Sequence, residues 1–426
     1  MKKKLISALL LATMAMGLLA GCGQKEEAPA AEAPVAEEAV AEETTTEKKS
    51  IKFYGKCVEY TSGPMMTDAL EEKLADVYDI ESIQIDWGNQ DKVIRTGIAS
   101  GEPCDVYNYV PQGTVAHFSD MALDLAPYFE ADPEWKAQFN ASDLEGGTTE
   151  DGRILGVPWE LNFSVILANK AALEEIIGEI PTSWTYDEFL VACQKIKEAG
   201  YWPFANATDN ARADWLFRNA MLSETLTAGT HDAYVKGELS YTGEETKRAL
   251  ENVKALYDNE YMYPGAGAVT AKNDEIKAAF YQGKLLMMPE IAAGAKVTAS
   301  EADFEVVAIA WPSSNTTAAI LGGFNGFFIP ANVADPDAAV EVLKAFTSAD
   351  IQAIHASEGY IPANVNVEVE DEFVKSVLEQ ASTLKSAEDA TATVSDYRTN
   401  QLMADLILNG GVDVVVEGLE AARTAE

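Results

Sequence analysis

The chain of 426 residues is short of cysteine, histidine and positive charge. It holds four cysteines and three histidines, and 31 lysines and arginines stand against 69 aspartates and glutamates. Beyond Cys22 there remain Cys57, Cys104 and Cys193, an odd number, so at least one is unpaired. Cys57 ends one expected strand and Cys104 begins another. In neighbouring parallel strands these are opposite ends, which speaks against a bridge. His117, His231 and His355 are scattered without metal-ligand spacing to any cysteine, so neither a metal nor a cofactor is expected. The net charge of −38 argues against nucleic acid and against lying flat on anionic lipid. The acids lie throughout the body and read as solvated surface, which identifies no ligand. Also missing are GxSxG, a phosphate loop ending in Lys-Ser or Lys-Thr, and HExxH.

What is present begins with an address. Lys2-Lys3-Lys4 is a basic opening, and Leu5 to Leu19 is an apolar run too short to span a bilayer comfortably. Leu19-Ala20-Gly21-Cys22 resembles a bacterial lipobox; the competing reading is an ordinary secretory signal that happens to hold a cysteine. The expectation is a signal peptide over residues 1–21 and a lipid-modified Cys22 as the only membrane anchor. Residues 22–50 carry Ala, Glu, Pro and Thr with no aromatic, which cannot offset its ordering entropy and reads as a tether.

From Ile51 onward strands alternate with helices. Ile51–Tyr54 reads as a strand, Pro64 opens a helix through Leu70 and Leu74, and Ile80–Trp87 is the next strand. A helix from about Asp91 to Ser100 and a strand at Cys104–Tyr107 follow. This order implies βαβ units and a parallel sheet, with ligand beyond the carboxyl ends of the strands. The length, sixteen prolines and twenty-nine glycines favour two lobes. The stretch Asp151–Gly200 organises the rest. An Asp151-Gly152 turn leads into Leu161, Phe163, Val165 and Leu167, which alternate with Asn162 and Ser164 as a strand with two different faces. Thr185 and Glu188 have capping-box spacing and open a helix running to about Gly200.

Gly156-Val157-Pro158-Trp159, the Asn169-Lys170 after the strand, and the run Pro181–Gly200 resemble the extracellular solute-binding proteins of ABC importers, in the branch that mostly carries sugars. Further motifs resemble that family in the same order: Gly101–Val106; Ala279–Lys284 leading to Leu285–Glu290; Ile320–Ile329; and Asp335–Phe346 with Gln352 and Glu358–Pro362. The resemblance implies an α/β, two-lobed periplasmic-binding-protein-like fold. Each lobe would be a mainly parallel sheet flanked by helices, with a hinge of crossing strands. It implies an N-terminal lobe of residues 51–160 plus about 325–385, and a C-terminal lobe of about 165–320 plus about 395–426. Crossings fall near Leu161–Ala168 and Ile320–Asn325, with a third before Asp396.

A sugar offers apolar C–H faces, which indole and phenol rings cover, and hydroxyls, which carboxylates and amides take in pairs. Glu59, Tyr60, Gln90, Tyr109, Trp159, Glu160, Asp209, Trp215, Glu290, Phe324, Asn325 and Arg398 supply this mixture. Packing or surface roles compete at each position. Trp159 and Glu160, at the lobe crossing beside Pro158, are the pair most expected to touch ligand, and Asn162 stands with them at the cleft wall. The expected function is capture of a carbohydrate for the transmembrane permease subunits of an ABC importer. The protein would act as a monomer, without catalysis, on the outer face of the cytoplasmic membrane of a Gram-positive type cell. Three alternatives compete. One is a binding protein for a polyamine or other cation, another a sensor presenting ligand to a receptor. The third is a glycan-active enzyme using Glu160 and Glu290 as an acid/base pair.

Overall fold

Eight strands form one mixed sheet in the computed structural model, which describes residues 48–209, 212–314, 320–381, 384–386 and 391–425. The expected signal peptide, Cys22 and nearly all of the tether lie outside the described residues. Among the described residues no helix is long and apolar enough to cross a membrane.

β1 (Lys49–Lys56), β2 (Tyr78–Gln84) and β3 (Val106–Asn108) are the strands of the opening βαβ units, and β1 pairs in parallel with both others. The crossovers carry the helices Ser62–Leu74 and Gln90–Ser100. β4 (Val157–Asn169), β5 (Met287–Ile291), β6 (Val306–Ile309), β7 (Ile320–Phe328) and β8 (Leu384–Ser386) complete the sheet. Its order is β2-β1-β3-β7-β4-β5, with β6 also on β4 and β8 on β7.

β4 and β7 run antiparallel to each other from Val157↔Phe327 to Phe163↔Gly322. Each begins in one hydrophobic core and ends in another. Val157, Trp159 and Phe327 pack with Phe53, Val106 and Phe346 in the first core. Phe163, Val165–Ala168, Ile320 and Leu321 pack with Phe189, Phe217 and Met288 in the second. Strand directions follow from this threading. β1, β2 and β3 agree with one another, while β7, arriving from the second core, runs against β3. β5 and β6 both run against β4, which arrives from the first. Each lobe thus keeps one direction except at the crossing strand.

Three expectations need adjustment. Ser164 was expected on a polar face, yet it is buried, and Asn219 of the helix Trp215–Ala228 reaches it, donating Nδ2 to the Ser164 hydroxyl at 3.1 Å. Its hydroxyl donates to Leu321 O at 3.3 Å. Residues up to about 385 were expected in the N-terminal lobe. Instead Val369, Val374 and Val377 pack in the second core, while Ala363 packs in the first. The chain therefore changes core over residues 361–369, ahead of the expected crossing, part of which (387–390) lies outside the described residues. Valine spacing reveals an apolar helical face but not which core that face will meet. The strand expected over Ile80–Trp87 starts earlier and stops at Gln84. The capping box forms as spaced: Glu188 N donates to Thr185 Oγ1 at 3.3 Å and Thr185 N to Glu188 Oε2 at 2.8 Å.

Candidate functional site

Between the two cores the β4–β7 ladder loses its cover. Leu161 and Asn162 on β4, and Gly322 to Asn325 on β7, are half-exposed, whereas the residues on either side are buried. Asn162 pairs with Gly323, Leu161 with Phe324, and Glu160 with Asn325. Just before them the register shifts between Pro158 and Glu160, where proline has no N–H to give the ladder. This stretch is the floor on which the candidate site is built.

The first lobe brings the carboxyl ends of its strands to that floor, as parallel sheets do. A Cβ on Gly326 would meet Pro111 Cγ at 2.6 Å and Val157 O at 2.8 Å, so only glycine lets the loop after β3 close on the crossing. That loop is tied down by Asn108 Nδ2 and Tyr109 N, which donate to Gly326 O at 3.0 and 2.9 Å. Gln90 Nε2 donates to Asn108 O at 2.8 Å and Oδ1 at 3.0 Å. With Trp87, Asn89, Asp91 and Lys92, Gln90 and Tyr109 line a cavity of about 340 Å³. Tyr60, after β1, stacks on Tyr360 at 4.8 Å between centroids, and Glu59 beside it is exposed. Burial, and next the charge of Glu160, hold the Tyr60 phenol well above its ordinary range.

Trp159 and Glu160 lie behind this floor rather than on it. Trp159 is 1% exposed; its ring lies 6.0 Å from Phe327, 5.8 Å from Phe346 and 4.8 Å from His355. Glu160 is fully buried; its Oε2 accepts from Asn325 Nδ2 at 2.6 Å. Its Oε1 faces His355 Nε2 at 3.5 Å and makes no hydrogen bond. The carboxylate is thus joined to the half-exposed ladder through Asn325. Asn162 is different: its Oδ1 is buried with no hydrogen-bond partner. Phe324 is half-buried at the edge of the first core.

The remaining candidates belong to the second lobe. Glu290 pairs across from Val165 on β5 and is fully buried. It is held by Lys277 at 2.7 Å, Arg212, and the Thr298 hydroxyl at 3.0 Å. Burial alone would push its carboxyl up; Arg212 and then Lys277 outweigh that and hold it below the ordinary range. The Arg212 guanidinium also lies 5.3 Å above the Trp215 ring, which is 7% exposed in the second core. Arg398, 3% exposed, pairs with Asp214 at 3.3 Å. Asp209 serves a helix end, its Oδ1 accepting from Asn273 N at 3.0 Å, the ordinary work of an aspartate at a helix start. So Tyr60, Phe324 and Asn325 gather at the crossing, with Gln90 and Tyr109 at the neighbouring loop ends. Glu290, Trp215 and Arg398 form separate buried clusters in the other lobe.

Sequence reasoning passed over Ser62, His355, Tyr360, Arg212 and Lys277. His355 sits in the helix Ala349–Ser357, just before the Glu358–Pro362 motif. That adjacency was the one local signal available. Cys57, Cys104 and Cys193 are all free thiols; burial pushes Cys57 up to about 12. Among the described residues no three His, Cys, Asp or Glu side chains gather as a metal set.

Crossing strands between two α/β lobes, with a half-exposed ladder at their middle, define a two-lobed binding protein. The chain belongs to the bacterial extracellular solute-binding proteins, whose family model matches residues 65–401. Solved structures share the fold. A chitin oligosaccharide binding protein is 18% identical, with 88% of this chain and 98% of that one covered and a TM-score of 0.70. The GacH receptor of Streptomyces glaucescens, solved unliganded and with acarbose, is 17% identical over 88% and 97%, at 0.71. A binding protein of Bacillus subtilis in an open conformation is 15% identical over 89% and 97%, at 0.74. At these identities the likeness is one of fold. No curated protein matches the chain.

Proposed function

We propose that the protein captures a carbohydrate at the crossing of β4 and β7 and delivers it to the permease subunits of an ABC importer. The observation that carries this is Asn162. It stands half-exposed on the crossing with a buried amide oxygen that no described residue satisfies. A buried acceptor left without a donor is costly; rotation of the half-exposed side chain brings the oxygen out to a ligand hydroxyl, which supplies one. Asn325, on the same face of the ladder as Asn162, adds a second amide. Structural relatives described as binding chitin oligosaccharide, acarbose and raffinose support a saccharide. Binding without catalysis fits the two carboxylates that could have formed an acid/base pair. Glu160 and Glu290 are both closed off from solvent, in different cores.

A ligand touching both lobes stabilises the closed form over the open one. The protein acts as a monomer held to the outer face of the membrane by a lipid on Cys22. A thermal-shift panel of neutral oligosaccharides, followed by small-angle scattering with the best hit, tests the reading. A rise in melting temperature and a smaller radius of gyration are expected; no hit across the panel contradicts it. Cys22→Ala is expected to abolish labelling by a fatty-acid probe, and persistent labelling contradicts the anchor.

A further inference from the structure

Four glycines seat one helix on the crossing. The helix Pro111–Phe118 follows the loop after β3. A Cβ on Gly326 would meet Pro111 Cγ at 2.6 Å, and one on Gly156 would meet Pro111 Cα at 2.9 Å, closer than real Cβ atoms come. Pro111 is therefore wedged between β7 and the entry to β4. The next residue, Gln112, is seated in the same way. Its Nε2 lies 2.8 Å from where a Cβ on Gly146 would stand and 3.5 Å from where one on Gly323 would, with its Oε1 at 3.8 Å from the latter. Gly146 follows the helix Ala141–Glu145, and Gly323 lies in the half-exposed part of β7. The Gln112 amide thus lies directly over the ladder at Gly323. It is half-exposed, and no described residue hydrogen-bonds it.

Gly323 pairs with Asn162 across the ladder, and Asn325 comes two residues later. Residues opposite one another, or two apart along a strand, share a face. A side chain lying where Gly323 has none is therefore on the face of Asn162 and Asn325, within the roughly 5 Å that separates cross-strand Cβ positions. Three carboxamides meet there, two from the crossing strands and one from the first lobe. We propose that Gln112 is a specificity-determining residue of the ligand site, the third amide of an uncharged lining that selects a neutral polyhydroxyl ligand over a cation. This rests on the reading that the ligand lies at the crossing. A carboxamide both donates and accepts, as a hydroxyl does, so the lining answers ring hydroxyls whichever way each O–H points. An ammonium group only donates and gains most from an ionised acceptor. The carboxylate on this face, Glu160, is fully buried and its Oε2 already takes the Asn325 amide.

The test is calorimetric titration with raffinose, and with a chitin trisaccharide as the second probe. Gln112→Ala is expected to weaken binding by about tenfold with an unchanged melting curve, since no described residue loses a hydrogen bond. Gly146→Ala supplies a readout that a merely structural glutamine would not move. Gly146 sits at φ −62° and ψ −26°, a conformation open to alanine, so the added methyl acts by displacing the Gln112 amide. Alone, Gly146→Ala is expected to weaken sugar binding several-fold; added to Gln112→Ala it is expected to cost nothing more. Losses that multiply in the double variant overturn the role of Gln112. So does wild-type affinity in Gln112→Ala when Asn162→Ala binds weakly, and the crossing then stands as the site without it. Wild-type affinity in both Gln112→Ala and Asn162→Ala overturns the placement on the crossing itself. Spermidine is expected to give no saturable heat with the wild type at physiological salt, and spermidine binding tighter than either sugar overturns the neutral lining. If neither sugar binds the wild type, the carbohydrate reading falls and this proposal falls with it.

Discussion

Glu160 in the first core and Glu290 on β5 are both carboxylates sealed from solvent, and their surroundings differ in kind. Glu290 has two cations, a hydroxyl and the Ile291 N–H around it. Glu160 has one amide, a histidine at 3.5 Å and an oxygen without a hydrogen bond. The first arrangement is compensated on every side and serves the fold of its lobe. The second is compensated barely, and its bonded oxygen points to the cleft floor. Residue type alone does not separate them, since both are glutamates at the entrance or exit of a strand. The partners that distance and burial bring make the difference.

Removing Glu290 should therefore be the most damaging change. Glu290→Ala leaves Arg212 and Lys277 facing each other without their anion, and breaking a buried pair in this way costs about 3–5 kcal/mol. Urea unfolding checks it, and a loss under about 1 kcal/mol would make the two carboxylates alike. The sign with pH follows from the lowered Glu290 carboxyl. A folded value below the unfolded one stabilises above the ordinary carboxylate range, near pH 4.3. That contribution fades as the pH falls through the folded value. The gap between wild type and Glu290→Gln is thus expected in full at neutral pH and to narrow only in acid.

Trp159→Ala comes next, at about 3–5 kcal/mol for emptying a large aromatic site in a core. Melting curves should show it directly. Loss of ligand with unchanged melting would instead return Trp159 to the cleft. Thr185→Ala, which opens one capping box, should cost only about 0.5–2 kcal/mol, and an unchanged midpoint would show that the cap adds nothing.

Much of the fold was legible because it is written locally. The alternation around β1, β2 and β3, the capping box at Thr185 and Glu188, and the helix begun by Asp335 each follow from a few neighbouring residues. The first crossing strand was legible as an alternating apolar run after the Asp151-Gly152 turn, whereas the second came from the family resemblance. What stayed hidden depends on distant partners. Pro158 announced the register shift beside Trp159 and Glu160, but not that Phe346 and His355 would cover both. His355 comes 195 residues after Glu160, and no spacing rule links them. Asp209 looked like a ligand carboxylate until the helix Asn273–Tyr281 arrived to be capped by it.

The most direct test of carbohydrate capture at the crossing is calorimetry on Asn162→Ala, with a melting curve alongside, using the sugar that most stabilises the wild type. The Asn162 oxygen has no protein partner to lose, so stability should stay within about 0.5 kcal/mol of wild type. Affinity should fall by about tenfold or more. Wild-type affinity in a folded Asn162→Ala protein would contradict the placement of the ligand on the β4–β7 crossing.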